Sequence, residues 1–152
     1  MSFSLNTPVR NSFAAAFKTA FTNGVIYMYS GAMPTDADAA VQGTLLGKVT
    51  KDGGTFAFGT STNGINWDTP TGGVVSKAAA ETWTYTGIAD GTVGWCRLMG
   101  NPVDALGSST TLPRCDVAVG ASGSNVIVFA STTVTTGVTG NVSAFTFTLP
   151  VR

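Results

Sequence analysis

The first apolar pattern along the chain repeats about every four residues and predicts an amphipathic helix over residues 8–23. Thr7 is expected to cap this helix and Pro8 suits its first position, while Asn23 and Gly24 predict its end. Its apolar side chains include three aromatic rings, and we expect the stripe they form to be buried against a sheet or against a partner subunit. The stripe consists of Val9, Phe13, Phe17 and Phe21.

From Val25 onward the apolar period changes to two, which predicts short strands separated by Gly, Asn and Pro turns. One or two helical turns are expected over Asp38–Val41, capped by Thr35. So many short strands predict a mainly β fold, an antiparallel β-sandwich of the jelly-roll type with one N-terminal α-helix. The predicted strands are 25–29, 44–49, 55–59, 65–67, 82–86, 92–99, 117–119, 126–129 and 144–149.

No linker or internal repeat interrupts this pattern, so residues 1–152 are expected to form a single domain. It would comprise an N-terminal arm (1–7), the helix (8–23) and the sandwich (25–149). If the arm is extended, Phe3 and Leu5 lie on one face, where they could enter a partner's groove or sheet edge. Alternatively, the arm covers the chain's own helix.

Composition narrows the range of functions. Eight Lys and Arg balance eight Asp and Glu, and charged residues make up 11% of the chain, against about 25% in a typical domain. Nucleic-acid and anionic-membrane binding rely on a basic surplus, which this chain lacks. A surface so poor in charge favours association with other proteins, including copies of the chain itself. No apolar run approaches the roughly 20 residues that cross a bilayer, and residues 1–10 do not resemble a secretory signal.

The residues that usually carry catalysis are scarce. The chain has no His, which excludes Ser-His-Asp and Cys-His nucleophiles and His metal ligands. Cys96 and Cys115 lack the spacing of a zinc site, and we expect either two reduced thiols or a cross-strand disulfide. Segments 43–48 and 120–124 resemble a phosphate loop and a serine motif, but both have the wrong spacing. We therefore expect no enzymatic activity, no cofactor and no metal.

Arg97 stands out because its neighbours in the segment 95–98 are uncharged and mostly apolar. One interpretation is that its aliphatic stem covers the sheet while its guanidinium meets Asp90, Asp104 or Asp116. The other is that Arg97 contacts a partner, since Arg is enriched at interface hot spots.

Three segments carry a resemblance to a known family. Residues 26–40 read IYMYSGAMPTDADAA, residues 43–46 read GTLL and residues 91–98 read GTVGWCRL. Together they resemble a family of small virion proteins of tailed bacteriophages, in which a short N-terminal helix precedes a strand ending in a YSG-x-x-P turn. ADAA and GTLL segments and a G-T-A-x-W-F-R-L strand follow in that family. Cys96 departs from the family's aromatic residue, and the resemblance spans about residues 10–130.

The resemblance implies a non-catalytic, β-rich structural subunit that is assembled into a virion in the bacterial cytoplasm. We favour a capsid decoration (cement) protein that bridges and stabilises major capsid subunits; a head-tail connector, collar or tail-surface protein is the alternative. The expected partners are the major capsid protein or other virion proteins and further copies of the chain, with no direct nucleic-acid or membrane contact. A further alternative is a carbohydrate-binding β-sandwich on the virion surface, with Trp67, Trp83 and Tyr85 as stacking residues. The residues expected to contact partners are Phe3, Leu5, Phe13, Phe17 and Arg97.

Overall fold

Ten strands and one helix form the described part of the chain, residues 4–120, 122 and 126–150 of a computed structural model. The helix ends close to the first strand, and the strands follow one another with loops of very different length. The elements are α1 (Thr7–Phe21), β1 (Val25–Tyr29), β2 (Leu45–Lys51), β3 (Val74–Ser76), β4 (Trp83–Thr86), β5 (Gly91–Thr92), β6 (Trp95–Met99), β7 (Arg114–Val119), β8 (Val126–Phe129), β9 (Thr133–Val134) and β10 (Thr139–Thr148).

Seven of the strands close into a barrel, so the predicted β-sandwich is wrong. Around the ring the order is β10, β4, β2, β1, β6, β7 and β8, and β8 returns to β10. Closure depends on the length of β10, whose first residues pair with β4 (Thr139 with Thr86) and whose middle pairs with β8 (Phe145 with Ile127). One strand therefore joins the two sheet edges that a sandwich would leave open, and its last residues also carry β3.

A ring with an odd number of strands cannot be antiparallel throughout. If strand direction alternates from one neighbour to the next, the last and first strands of an odd-numbered ring run in the same direction. The β7–β8 pair supplies the parallel step, in which Ala118 lies beside Val126 and Val119 beside Ile127. The other neighbours in the ring are antiparallel, as the sequence predicts.

Helix α1 covers one end of the barrel, which we call the helix end. At this rim β1, β4 and β7 begin and β2, β6 and β10 end. The Phe17 ring stacks on Phe147 of β10 with 4.1 Å between centroids, and Trp67 Nε1 donates a hydrogen bond to the Phe21 carbonyl at 3.1 Å. Trp67 in turn meets Trp83 edge to face, so the helix joins the barrel interior through aromatic contacts.

The opposite end is covered by the short β5–β9 ribbon, and we call it the ribbon end. Gly91 pairs with Val134 across this ribbon, and Val93 and Val134 are buried among the interior side chains. The interior is thus closed at both ends by elements outside the ring.

Strands β1 and β6 are buried on both faces. Inward side chains such as Met28 and Leu98 fill the barrel. On the outer face Tyr29 stacks on Trp95 with 4.8 Å between ring centroids, and loops lie over this second cluster. The loop side chains that cover it are Val41, Phe56, Phe58 and Leu106, together with Leu45 at the start of β2.

Several local predictions need correction. Residues 55–59 form no strand, because Phe56 and Phe58 pack on the outer face of the barrel wall instead of into the sheet. The helical turns predicted over 38–41 are also absent. The Asp36 carboxylate accepts a hydrogen bond from the Asp38 N–H at 2.8 Å and closes a turn instead.

At the helix itself, Asn6 rather than Thr7 provides the cap, since its side-chain oxygen accepts a hydrogen bond from the Val9 N–H at 3.2 Å. The predicted stop is confirmed, because the helix ends at Phe21 and Asn23 adopts a left-handed φ of 56°. Gly24 follows where a Cβ would collide with the Met99 carbonyl oxygen.

The aromatic stripe is only half buried within this chain. Phe21 is 5% exposed and Phe17 is half-buried, whereas Phe13 is 55% exposed. At about 100° per residue, the apolar side chains spread over a wide arc, and only its side nearest Ala14 and Phe21 faces the barrel. Of the two expected environments, burial against the chain's own sheet is therefore wrong for Phe13. Burial against a partner subunit stays a prediction.

We expect Phe21→Ala to lower the free energy of unfolding by about 3–5 kcal/mol, because it empties a buried aromatic site. The matched substitution Phe13→Ala should change it by less than about 0.5 kcal/mol, because the ring is mostly in water. Urea denaturation of both variants measures the difference. Equal losses would contradict this assignment of the two helix faces.

Candidate interaction surface

The outward half of helix α1 is an apolar surface, which we call the exposed strip. Its members are spaced by four, three and four residues and lie on one side of the helix. Val9 and Phe13 are the large side chains in it and both are exposed. The exposed strip consists of Val9, Phe13, Ala16 and Ala20. Exposed apolar side chains grouped on one rigid element are typical of a contact surface.

Polar contacts fix the helix so that the strip faces outward. Arg10 Nη1 donates to the Gly72 carbonyl at 2.6 Å, and the Asn11 side-chain oxygen accepts from the Gly73 N–H at 2.8 Å. Arg10 and Lys18 are the charged residues of the helix, which contains no Asp or Glu. The exposed strip is therefore apolar and lies on a helix that these two hydrogen bonds hold against the loop at Gly72 and Gly73.

The structure distributes the predicted contact residues over several environments. Phe3 lies outside the described residues, and Leu5 is half-buried just before the helix. Phe13 lies in the exposed strip, whereas Phe17 lies between Phe147 and Trp67 on the barrel side of the same helix. These two Phe residues share an element but not a face.

Arg97 is fully buried in the barrel wall. Its Nε and Nη2 atoms donate to the two carboxylate oxygens of Asp116, each at 2.7 Å, and its Nη1 donates to the Ala39 carbonyl at 2.8 Å. The guanidinium carbon also lies 5.5 Å from the centroid of the Trp95 ring. Of the two interpretations, the geometry matches an Arg bound to an Asp of its own chain, and Arg97 has no exposed surface to offer a partner.

A second ion pair lies nearby, where Arg114 Nε donates to Asp104 Oδ2 at 2.7 Å. Burial on its own raises the pKa of the Asp104 carboxyl, but hydrogen bonds from Arg114 and from the Leu106 N–H, with the positive charges of Arg114 and Arg97, lower it below its ordinary value. The two pairs attach the loops over 30–44 and 100–113 to the outer face of the barrel. Their role is structural.

Trp67, Trp83 and Tyr85 are all buried, so the expectation that they stack on a carbohydrate is wrong. The half-buried strand predicted from the alternation of Thr with Trp83 and Tyr85 is confirmed as β4. The strand predicted over 65–67 is wrong, because Ile65 and Trp67 form only isolated bridges, and all three rings belong to the barrel interior. Cys96 and Cys115 are free thiols. Burial raises the pKa of both, that of Cys115 to about 11, with a further contribution there from the Asp116 charge.

Exposed apolar side chains also occur at the ribbon end, where no sequence signal pointed to them. Met33, Ile88 and Val138 protrude there from three separate loops. Beside Val138 is a surface cavity of about 280 Å³, lined also by Val134 and Tyr85. Another cavity, of about 220 Å³, lies on the barrel side near Lys48, whose ammonium sits 4.8 Å from the Tyr27 ring centroid.

Comparison of the chain with protein-family models, with curated proteins and with solved structures finds no match. Within the described ranges, the helix lacks the length and apolar character needed to cross a membrane. Among those same residues, no three carboxylate or thiol groups come together as metal ligands. The candidate surfaces therefore rest on geometry alone.

We expect Asp116→Ala to destabilise the chain by about 3–5 kcal/mol, because it leaves the Arg97 charge buried without a partner. Lys51→Ala is the control, since Lys51 is 43% exposed and 3.7 Å from Glu81, and such a pair contributes at most about 1 kcal/mol. Chemical denaturation compares the two variants. Similar small losses in both would contradict a tightly coupled Arg97–Asp116 pair.

The lowered pKa of Asp104 gives the chain a specific response to acid. Because the unfolded chain binds this proton more readily than the folded one, the contribution of Asp104 is fully present above about pH 4 and is lost as the pH falls below that value. Asp104→Asn should therefore be less stable than the parent at neutral pH and lose less stability between about pH 4 and pH 2. Unfolding free energies measured across that range test this, and parallel curves would contradict it.

Proposed function

We propose that this chain is a non-enzymatic structural subunit of a tailed-phage virion, and that it decorates the capsid by bridging neighbouring major capsid subunits. The observation that carries the proposal is the exposed strip, in which Phe13 is 55% exposed on a helix fixed to the barrel. Burying a Phe side chain stabilises a contact by about 1.5–3 kcal/mol. A partner that covers the strip would gain this without ordering a flexible segment.

The arrangement of the phage-like segments supports the proposal. Residues 26–29 lie in β1, and the segments 43–46 and 91–98 supply the start of β2 and most of β6, the two neighbours of β1 in the ring. The end of β1 and the turn that follows it contact both segments: the Gly94 N–H donates to the Tyr29 carbonyl at 2.9 Å, and the Ser30 N–H donates to the Thr44 carbonyl at 3.1 Å. Segments separated in sequence thus form one local unit, as expected if the resemblance reflects a common structure.

The barrel changes the physical basis of assembly. In a sandwich, open sheet edges would need to be covered, and pairing with a neighbour is one way to do so. Closure of the ring removes most of these edges, so binding would be made by side chains of the exposed strip and by the segment that precedes it. Half-buried Leu5 lies in that segment.

A decoration protein stabilises a capsid through many copies, each of which forms its own contact with the shell. A stable interface buries about 1,600 Å², of which the exposed strip would form the apolar centre. Because many copies bind one shell, a modest affinity per copy is enough to brace the capsid. An uncharged strip also makes the contact insensitive to salt, since screening acts on charges.

The test uses particles of the phage that encodes the chain, stripped of it and re-incubated with purified protein. Phe13→Ser should lower the affinity for particles by roughly tenfold or more, the effect of losing an interface hot spot. Ala15→Ser is the matched control, because Ala15 is exposed on the opposite side of the same helix. Occupancy is measured by quantitative electrophoresis and by cryo-electron microscopy.

Equal occupancy of the two variants would contradict the role of the strip. Density confined to the portal vertex or tail would replace decoration with the head-tail, collar or tail-surface alternative. Absence of the chain from purified particles would contradict the virion assignment itself.

A further inference from the structure

The cavity of about 220 Å³ near Lys48, which we call the Lys48 cavity, lies on the side of the barrel away from its two ends. Residues of β1, β2 and β4 and of the loops after β2 and β4 line it. The turn at its edge is held in place, because the Thr50 hydroxyl donates to the Gly54 carbonyl at 2.8 Å and a Cβ on Gly54 would collide with Asn63. The cavity is therefore part of the folded chain and does not depend on a ligand to form.

Four polar groups that line the Lys48 cavity make no hydrogen bond or ion pair within the described part of the chain. They are the Lys48 ammonium and the hydroxyls of Tyr27, Thr55 and Thr86. Tyr27 is the most informative, because it is only 7% exposed and its hydroxyl is not one of the polar atoms sealed from solvent. A buried Tyr hydroxyl usually has a partner, so this one is available to a ligand in the cavity.

The charge of the cavity comes from Lys48, whose ammonium lies 4.8 Å from the centroid of the Tyr27 ring. Lys48 is the charged residue among those that line the cavity, and Asp52, in the adjacent turn, does not line it. Hydrogen bonds between an ammonium and a carboxylate are about twice as strong as those between neutral groups. The site therefore favours a ligand that carries a carboxylate.

An aromatic ring and the size of the cavity narrow the choice further. Phe56 lines the cavity and is half-buried, with its ring edge to face against Phe58 at 5.0 Å between centroids. A cavity of about 150 Å³ holds benzene, so the Lys48 cavity has room for one six-membered ring. The negative face of an aromatic ring attracts C–H groups, which a sugar ring presents on its apolar side. A sugar also carries the hydroxyls that the unpartnered groups can bind.

We propose that the Lys48 cavity binds one hexuronate unit of an acidic saccharide. The carboxylate accepts a hydrogen bond from the Lys48 ammonium, the sugar hydroxyls pair with those of Tyr27, Thr55 and Thr86, and the apolar side of the sugar lies against Phe56. A neutral sugar would leave the ammonium unpaired, and a simple carboxylate would leave the hydroxyls and the aromatic ring unused. The inference depends neither on the exposed strip nor on the virion assignment.

The test is an NMR titration of the isotope-labelled full chain with four probes. Glucuronate and galacturonate are hexuronates, glucose has the hydroxyls without the carboxylate, and acetate has the carboxylate alone. At least one hexuronate should shift the resonances of the lining residues with a Kd of about 1 mM, which is typical of a ligand of this size. Glucose and acetate should bind about tenfold more weakly or less well than that.

Substitutions at the cavity separate the contributions. Lys48→Gln should weaken hexuronate binding about tenfold, and Lys48→Arg should restore most of it, because the cation is kept. Tyr27→Phe should weaken binding about fivefold and leave the melting temperature unchanged, since the lost hydroxyl has no partner within the described residues. Lys51→Gln is the matched control, because Lys51 is also in β2 but is paired with Glu81 and does not line the cavity.

Several results would overturn the proposal. They are the absence of saturable shifts with either hexuronate up to about 50 mM, shifts confined to residues outside the cavity, or equal binding by Lys48→Gln and the parent. Acetate that binds as well as the hexuronates would show a simple anion site, and glucose that binds as well would show that the carboxylate has no role. Phe13→Ser should bind hexuronates like the parent and Lys48→Gln should still occupy particles, so the two proposals are tested independently.

Discussion

Ring closure is the constraint on which the rest of the structure depends. Strand β10 reaches β4 with its first residues, β8 with its middle and β3 with its last. Because the ring holds seven strands, one neighbouring pair must run parallel, and the β7–β8 step meets that requirement. The same strand helps to set both ends of the barrel. Its Phe147 receives Phe17 of the helix, and its start follows the β5–β9 ribbon.

The sequence patterns predict single helices and strands well in this chain. They do not predict ring closure, because closure depends on pairing between residues far apart in sequence. The helix and most ring strands follow from periods of four and two, because each period reflects the faces of one element. Pairing of Thr139 with Thr86 joins residues far apart in sequence, and no pattern within β10 shows that it has partners on both sides. Strands β3 and β9 are too short to show a period. The segment around Phe56 and Phe58 has the alternation of a strand, but both side chains pack on the outer face of the barrel wall, so the segment forms no part of the sheet.

The candidate surfaces show the same limit. The apolar neighbours of Arg97 indicate burial, but its choice among three Asp residues is decided by strand register, which places Asp116 directly opposite. The width of the helical arc can be read from the sequence. Which half of it faces the barrel depends on how the chain turns at Asn23 into β1. The ribbon-end cavity arises where loops from separate strands meet, and the Thr-Gly composition of that segment gives no sign of it.

The double burial of β1 and β6 has a consequence for how unfolding can be observed. Trp95 lies under the loops on the outer face of the wall, whereas Trp67 and Trp83 lie in the interior near the helix. These are the three tryptophans of the chain. Detachment of the loops would change the fluorescence of Trp95 while the interior pair stays shielded, and opening of the barrel would change that of the pair. The protein therefore carries separate intrinsic optical reporters for its two layers.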